Sequence, residues 1–174
     1  ARNDGKVVYT EKHTVTFDDS GKVLTAETNY EDPEGKKIGT LKSDFRSSLT
    51  LPDHVYYNHL DGSTHGIRTA SDKIVMFNQD PGKSEKTKEL AKEFAGGSLA
   101  VGCQGLHYFL VDNLEQVRTK KVWPIKFLIP GSLDYYDFEM EFKKENPDGT
   151  VELEIEIDNF VLRLFAPKLI VRYD

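Results

Sequence analysis

The stretch Gly102-Cys103-Gln104-Gly105-Leu106-His107 is the least generic in the chain, and it sets a thiol four residues before an imidazole. On a helix those two side chains share a face and can touch. A thiol at a helix N-terminus has its thiolate favoured by the positive end of the macrodipole, and a neighbouring imidazole can take its proton. That pairing is a nucleophile with its base, the equipment of a thiol-dependent hydrolase or transferase. Against it, free cysteine is among the most buried residue types, and Leu106 to Val111 is an apolar run. Thiol enzymes also more often draw the base from a separate element. The structural reading, with Cys103 a small core hydrophobe and His107 a buried, hydrogen-bonded ring, carries more weight. The chain leans away from an enzyme.

Metal chemistry has a second set of candidates. His54, His59 and His65 sit close together with Asp53 and Asp61 between them, and His59 and His65 flank the Asp61-Gly62 turn. They could meet across a hairpin and supply two or three ligands. Neither His-Glu-x-x-His nor paired Cys-x-x-Cys is present, and scattered histidines on a hairpin are commoner than a site. No cofactor is expected. Gly-x-Gly-x-x-Gly, Walker-type and Gly-x-Ser-x-Gly loops are absent too. Trp123, in an apolar strand that ends at Pro130-Gly131, reads first as core, though it joins Phe109 and Tyr136 as candidates for lining a ligand cavity.

One strand face is strongly acidic. Asp137, Glu139 and Glu141 lie on one side of a hairpin, with Glu152, Glu154, Glu156 and Asp158 facing them. Like charges directly opposite destabilise a sheet unless cations interleave, and Lys143, Arg163 and Arg172 are the candidates for that compensation. A solvated outer face is the default reading. A surface for calcium or for a basic partner is the alternative, though no Asp-x-Asp-x-Asp-Gly loop is present.

The elements that must position these residues are mostly strands. Residues 7–17 and 23–30 alternate apolar and polar around the Asp18-Asp19-Ser20-Gly21 turn. Pairing Phe17 with Lys22 sets Val15 opposite Leu24 and Tyr9 opposite Tyr30. A third strand ends near Phe45, and short strands follow around 55–57, 66–68 and 74–77. In the C-terminal third, Tyr136, Phe138, Met140 and Phe142 share one face. Across Asn146-Pro147-Asp148-Gly149, so do Val151, Leu153, Ile155 and Ile157. Two helices are expected. Residues 84–94 read as a surface helix with Leu90 and Phe94 inward and Gly96-Gly97 as its stop. Residues 103–118 read as a longer one, apolar nearly all round in its first half, with Leu114 and Val117 inward and Glu115 and Arg118 outward in its second. Together these predict a mainly β (α+β) fold: a strongly curved antiparallel sheet or barrel of about eight to ten strands wrapped around one central helix.

Composition bounds the rest. The chain has 174 residues, 38% of them hydrophobic, which suits one domain over residues 1–174. Its 29 acidic against 23 basic side chains leave a formal charge of −6, which argues against nucleic acid as a partner. No run of about 18 apolar residues is present to span a bilayer as a helix. The single cysteine cannot form an internal disulfide. Ala1 in place of Met is what removal of an export signal leaves, although a trimmed boundary looks the same. The strand-like run to Asp174 has no tail, so a longer natural chain is open.

Four stretches carry a resemblance: Tyr9-Thr10-Glu11-Lys12-His13, Cys103-Gln104-Gly105-Leu106-His107-Tyr108, Phe127-Leu128-Ile129-Pro130-Gly131 and Arg163-Leu164-Phe165-Ala166-Pro167-Lys168. In these the chain resembles a family of bacterial exported β-rich proteins of unknown function. The resemblance implies a periplasmic or secreted location and assigns no residue a role. At the level of fold alone the expected architecture is similar to periplasmic lipoprotein-carrier half-barrels. The expected function is that of a non-catalytic cell-envelope binding or structural protein whose curved sheet holds a hydrophobic or amphipathic small molecule or lipid. The thiol enzyme using Cys103 and His107 and the acidic interaction face are the alternatives.

Overall fold

The computed structural model describes residues 2–3, 6–70, 72–120, 122–159 and 168–173. After a two-residue ladder between β1 (Arg2–Asn3) and β2 (Lys6–Val7), seven strands pair antiparallel in chain order. They are β3 (Thr10–Phe17), β4 (Val23–Glu31), β5 (Lys37–Asp44), β6 (Asp53–Asn58), β7 (Thr64–Thr69), β8 (Lys73–Gln79) and β9 (Lys86–Ala91). Short polar turns make this meander possible. At the first, one Asp18 carboxylate oxygen accepts from the Ser20 and Lys22 backbone N–H groups, both at 2.9 Å, and closes the loop locally.

A second sheet follows. Strand β10 (Leu99–Gly102) leads into helix α1 (Gly105–Thr119), which returns the chain to β11 (Val122–Ile129), parallel to β10. Parallel neighbours need a crossover, and α1 supplies it. After a 3₁₀ turn at Pro130–Ser132, β12 (Asp134–Glu145), β13 (Val151–Ile157) and β14 (Leu169–Tyr173) extend the sheet antiparallel. The β12–β13 pairing matches Met140 with Ile155 and Phe142 with Leu153, so the expected apolar face forms as read from the sequence.

Three clusters hold these layers. Phe109, Leu110 and Val117 of α1 pack on Val101, Ile125, Met140 and Leu153 of the five-stranded sheet. The other face of that sheet gives Leu128, which joins Leu51, Ile67, Ile74 and Met76 of the larger sheet and its loops. At its N-terminus α1 sets Tyr108 edge-on against Phe45, with ring centroids 4.6 Å apart, beside Val23 and Ala26. The 3₁₀ turn adds a clasp: Asn78 Nδ2 donates to the Gly131 carbonyl at 2.6 Å.

The structure corrects the expected architecture in four respects. Among the described residues, apart from the β1–β2 ladder, the strands form two sheets of seven and five, more than the eight to ten expected, and neither closes into a barrel: β3 and β9 are edges of the larger sheet. The helix is not encircled. It belongs to a crossover unit, so it covers one face of its own sheet and leaves Val111 57% exposed. Residues 84–94 do not form an α-helix. Lys86 to Ala91 pair with β8, and Lys92–Ala95 form a 3₁₀ turn. Leu90 and Phe94 still pack inward, but the unpaired edge of β8 supplies a ladder that overrides the helical propensity of the Lys, Glu, Leu and Ala residues pairing with it. Finally, the first hairpin is shifted. Phe17 pairs with Val23 instead of Lys22, and a bulge between Thr16 and Phe17 adds a second step. Val15 therefore lies opposite Ala26, two residues from the expected Leu24. Before the bulge, this shift of two keeps each side chain on its face.

A candidate binding groove on the larger sheet

The meander has two faces of different character. Ala26, Ser43, Ile67 and Met76 point toward α1 and the second sheet. Residues of the opposite parity point away. The register aligns Thr14, Glu27, Lys42, Val55, Gly66 and Phe77 in one row across β3 to β8, and Thr16, Thr25, Asp44 and Asp53 in the next. This outer face holds a cavity of about 600 Å³, lined by residues of six consecutive strands. Its volume falls in the ordinary range for small-molecule sites.

Residue types differ along the groove. At the β3–β4 end lie hydroxyls, with Thr16 Oγ1 2.6 Å from Thr25 Oγ1. At the β6–β8 end Val55 and Phe77 supply apolar surface between Asp53 and Arg68. Gly66 is needed there, because a Cβ would overlap the His54 carbonyl and press on the Phe77 ring. The ionic groups around the groove are engaged. Lys42 Nζ lies 3.4 Å from Glu27, and Arg46 Nη2 lies 3.2 Å from Asp44. Arg68 stacks 4.7 Å over the Phe77 ring while holding Glu85 through both nitrogens. Asp53 Oδ1 accepts from the Thr69 backbone N–H at 2.7 Å. Beside Glu27, the Asn29 amide and Lys42 hold the carboxyl below its ordinary range.

The residues singled out by type lie elsewhere. Cys103 precedes α1 in a left-handed conformation, φ 50°, so the thiol and His107 do not share a helical face. It lines a cavity of about 290 Å³ between the sheets, with His54, His65, Tyr30, Tyr56 and Phe127. Burial pushes the thiol up to about 11, the reverse of what a nucleophile needs. His107 lines a different cavity, with Phe17, Leu49 and Val111, and its Nδ1 lies 3.4 Å from the Tyr173 hydroxyl. The thiol–base pair of the alternative reading is not assembled, and His107 is exposed instead of being the buried ring that the favoured reading expected.

Of the three candidate metal ligands, His54 and His65 share the cavity between the sheets. His54 Nδ1–H donates to the Pro52 carbonyl at 3.1 Å, and burial pulls this ring down to about 4. His65 lies against the Tyr56 ring, centroids 5.1 Å apart. His59 is separate, with Nε2 2.8 Å from Thr40 Oγ1. Among the described residues no three His, Cys, Asp or Glu side chains converge as metal ligands.

Trp123 and Phe109 meet edge-on at 5.2 Å inside the α1 core, so they fill space instead of lining it. Tyr136 lies apart, 38% exposed. None of the three borders the outer groove. The acidic face is interleaved with cations more densely than expected. Lys126 pairs with Asp137, Lys143 bridges Glu141 and Glu154, Lys168 reaches Glu154 and Glu156, and Arg172 lies 3.3 Å from Glu152. Lys143 and Arg172 act as anticipated, whereas Arg163 lies outside the described residues.

The groove residues Thr14, Thr25, Lys42, Val55, Arg68 and Phe77 were not anticipated as a group. Each occupies the outward position of a short strand, and only pairing six strands in register reveals that they share one hollow. No known family, curated protein or solved structure matches this chain.

Proposed function

We propose that this chain is a non-catalytic binding protein whose seven-stranded sheet holds an amphipathic small molecule or lipid in its outer groove. The carrying observation is the cavity of about 600 Å³ with threonine hydroxyls at one end, Val55 and Phe77 at the other and paired ionic groups between. A ligand with a polar head and an apolar body matches that arrangement, because each end then meets its own kind of surface. The groove lies away from the helix side, where Leu110 and Val117 fill the space. A periplasmic or secreted location belongs to the proposal and rests on the resemblance to exported proteins.

The test is titration of the purified protein with a chain-bearing fluorescent probe, alongside Thr25→Trp, which places an indole in the groove on a strand that tolerates aromatics. Saturable one-to-one binding that Thr25→Trp weakens by about tenfold or more, with the unliganded melting temperature held, supports the reading. Binding indifferent to that substitution, or none, overturns it.

A further inference from the structure

The ionic pairing around the groove specifies the head of the ligand more narrowly. Building on the binding function proposed above, we infer that the groove selects an amphiphile with an uncharged, hydroxyl-bearing headgroup over one with an ionic head.

A charged headgroup entering the groove loses hydration and must be compensated by an opposite charge. The two cations facing the groove are committed: Lys42 to Glu27 at 3.4 Å and Arg68 to Glu85 through both nitrogens. An anionic head would also face Glu27, Asp44 and Asp53. A cationic head fares little better. Glu27 is held by Lys42 and by the Asn29 amide at 3.2 Å, and Asp44 by Arg46. Asp53, which among the described residues accepts only the Thr69 N–H and keeps its charge, sits on β6 at the end that takes the tail. What stays available is hydrogen bonding: the threonine hydroxyls of β3 and β4, which donate and accept, and spare lone pairs on carboxylates already partnered. Hydroxyl groups satisfy that set without breaking an ion pair. The apolar tail then lies toward Val55 and Phe77.

Calorimetric titration with three amphiphiles sharing a twelve-carbon chain tests this: 1-monolauroylglycerol, laurate and dodecyltrimethylammonium, each below its critical micelle concentration. The neutral compound is expected to bind about tenfold or more tightly than either ion. Equal affinities, or preference for an ion, overturn the selectivity while leaving the groove as a binding site. Binding by none of the three overturns both. Two variants then read the cause. Glu27→Ala frees Lys42 and is expected to raise laurate affinity severalfold, and Lys42→Ala frees Glu27 and is expected to do the same for dodecyltrimethylammonium. If neither variant shifts preference toward its matching ion, the charge-pairing explanation falls.

Discussion

His54 shows how one buried residue ties stability to pH. Its ring is 7% exposed, with Nδ1–H given to a carbonyl and its pKa pulled down to about 4. The unfolded ring titrates near 6.5, so the unfolded state binds the proton first as pH falls. Stability from keeping this ring neutral is therefore fully present above about pH 6.5 and is lost on the way down to about pH 4. The loss is about 2 kcal/mol by pH 5. Burial pulls His65 in the same direction. Urea unfolding at pH 7.5, 6 and 5 measures the slope, and His54→Phe is expected to flatten it. An unchanged slope in the variant refutes the assignment. Cys103 gives a second measurement at this scale. With its thiol pushed up to about 11, it is expected to react with an aromatic disulfide reagent at pH 7 about a hundredfold more slowly in the native protein than in urea. Fast native labelling would revive the thiol-enzyme reading.

Among the elements, α1 separates pattern from placement. Its 3.6-residue periodicity is visible in the sequence, and Leu114 and Val117 do turn inward. Periodicity alone does not say which of the apolar residues between Leu106 and Val111 is buried. The crossover between β10 and β11 decides that, by giving the helix one sheet face to cover. Leu110 is 0% exposed and Val111 57%. Leu110→Ala is expected to cost about 3 kcal/mol, and Val111→Ala less than about 0.5 kcal/mol, by denaturant melts. Similar costs for the two would mean that α1 is enclosed on both sides. Strand β9 is the opposite case. Its residues carry an acceptable helical spacing, and it became a strand because β8 offered an open ladder.

For the whole molecule, Leu128 is the fully buried residue that the five-stranded sheet contributes to the cluster shared with the larger sheet, beside Ala100 and Tyr135. It points from the five-stranded sheet into the cluster of Ile67 and Met76. That shared cluster implies that the sheets lose their structure together. Trp123, the single tryptophan, reports on the α1 side, and far-UV circular dichroism reports on both sheets. The two unfolding transitions are expected to coincide, and Leu128→Ala is expected to lower both midpoints together, at a cost of about 2 to 4 kcal/mol. Separate midpoints would show that the sheets unfold independently.

Strand alternation, the β12–β13 hairpin with its apolar and acidic faces, and the amphipathic end of α1 were all legible in the sequence, because each follows from neighbours close along the chain. The two-sheet division, the parallel crossover, the parting of Cys103 from His107 and the groove were not. They depend on which distant strands pair and in which register, and a side chain on the outward face of a strand looks the same whether that face is open or hollow. Phe77 illustrates the limit. Its sequence neighbours mark it as a strand residue, but only the passage of β7 beside it, with a glycine at position 66, makes its ring part of a site.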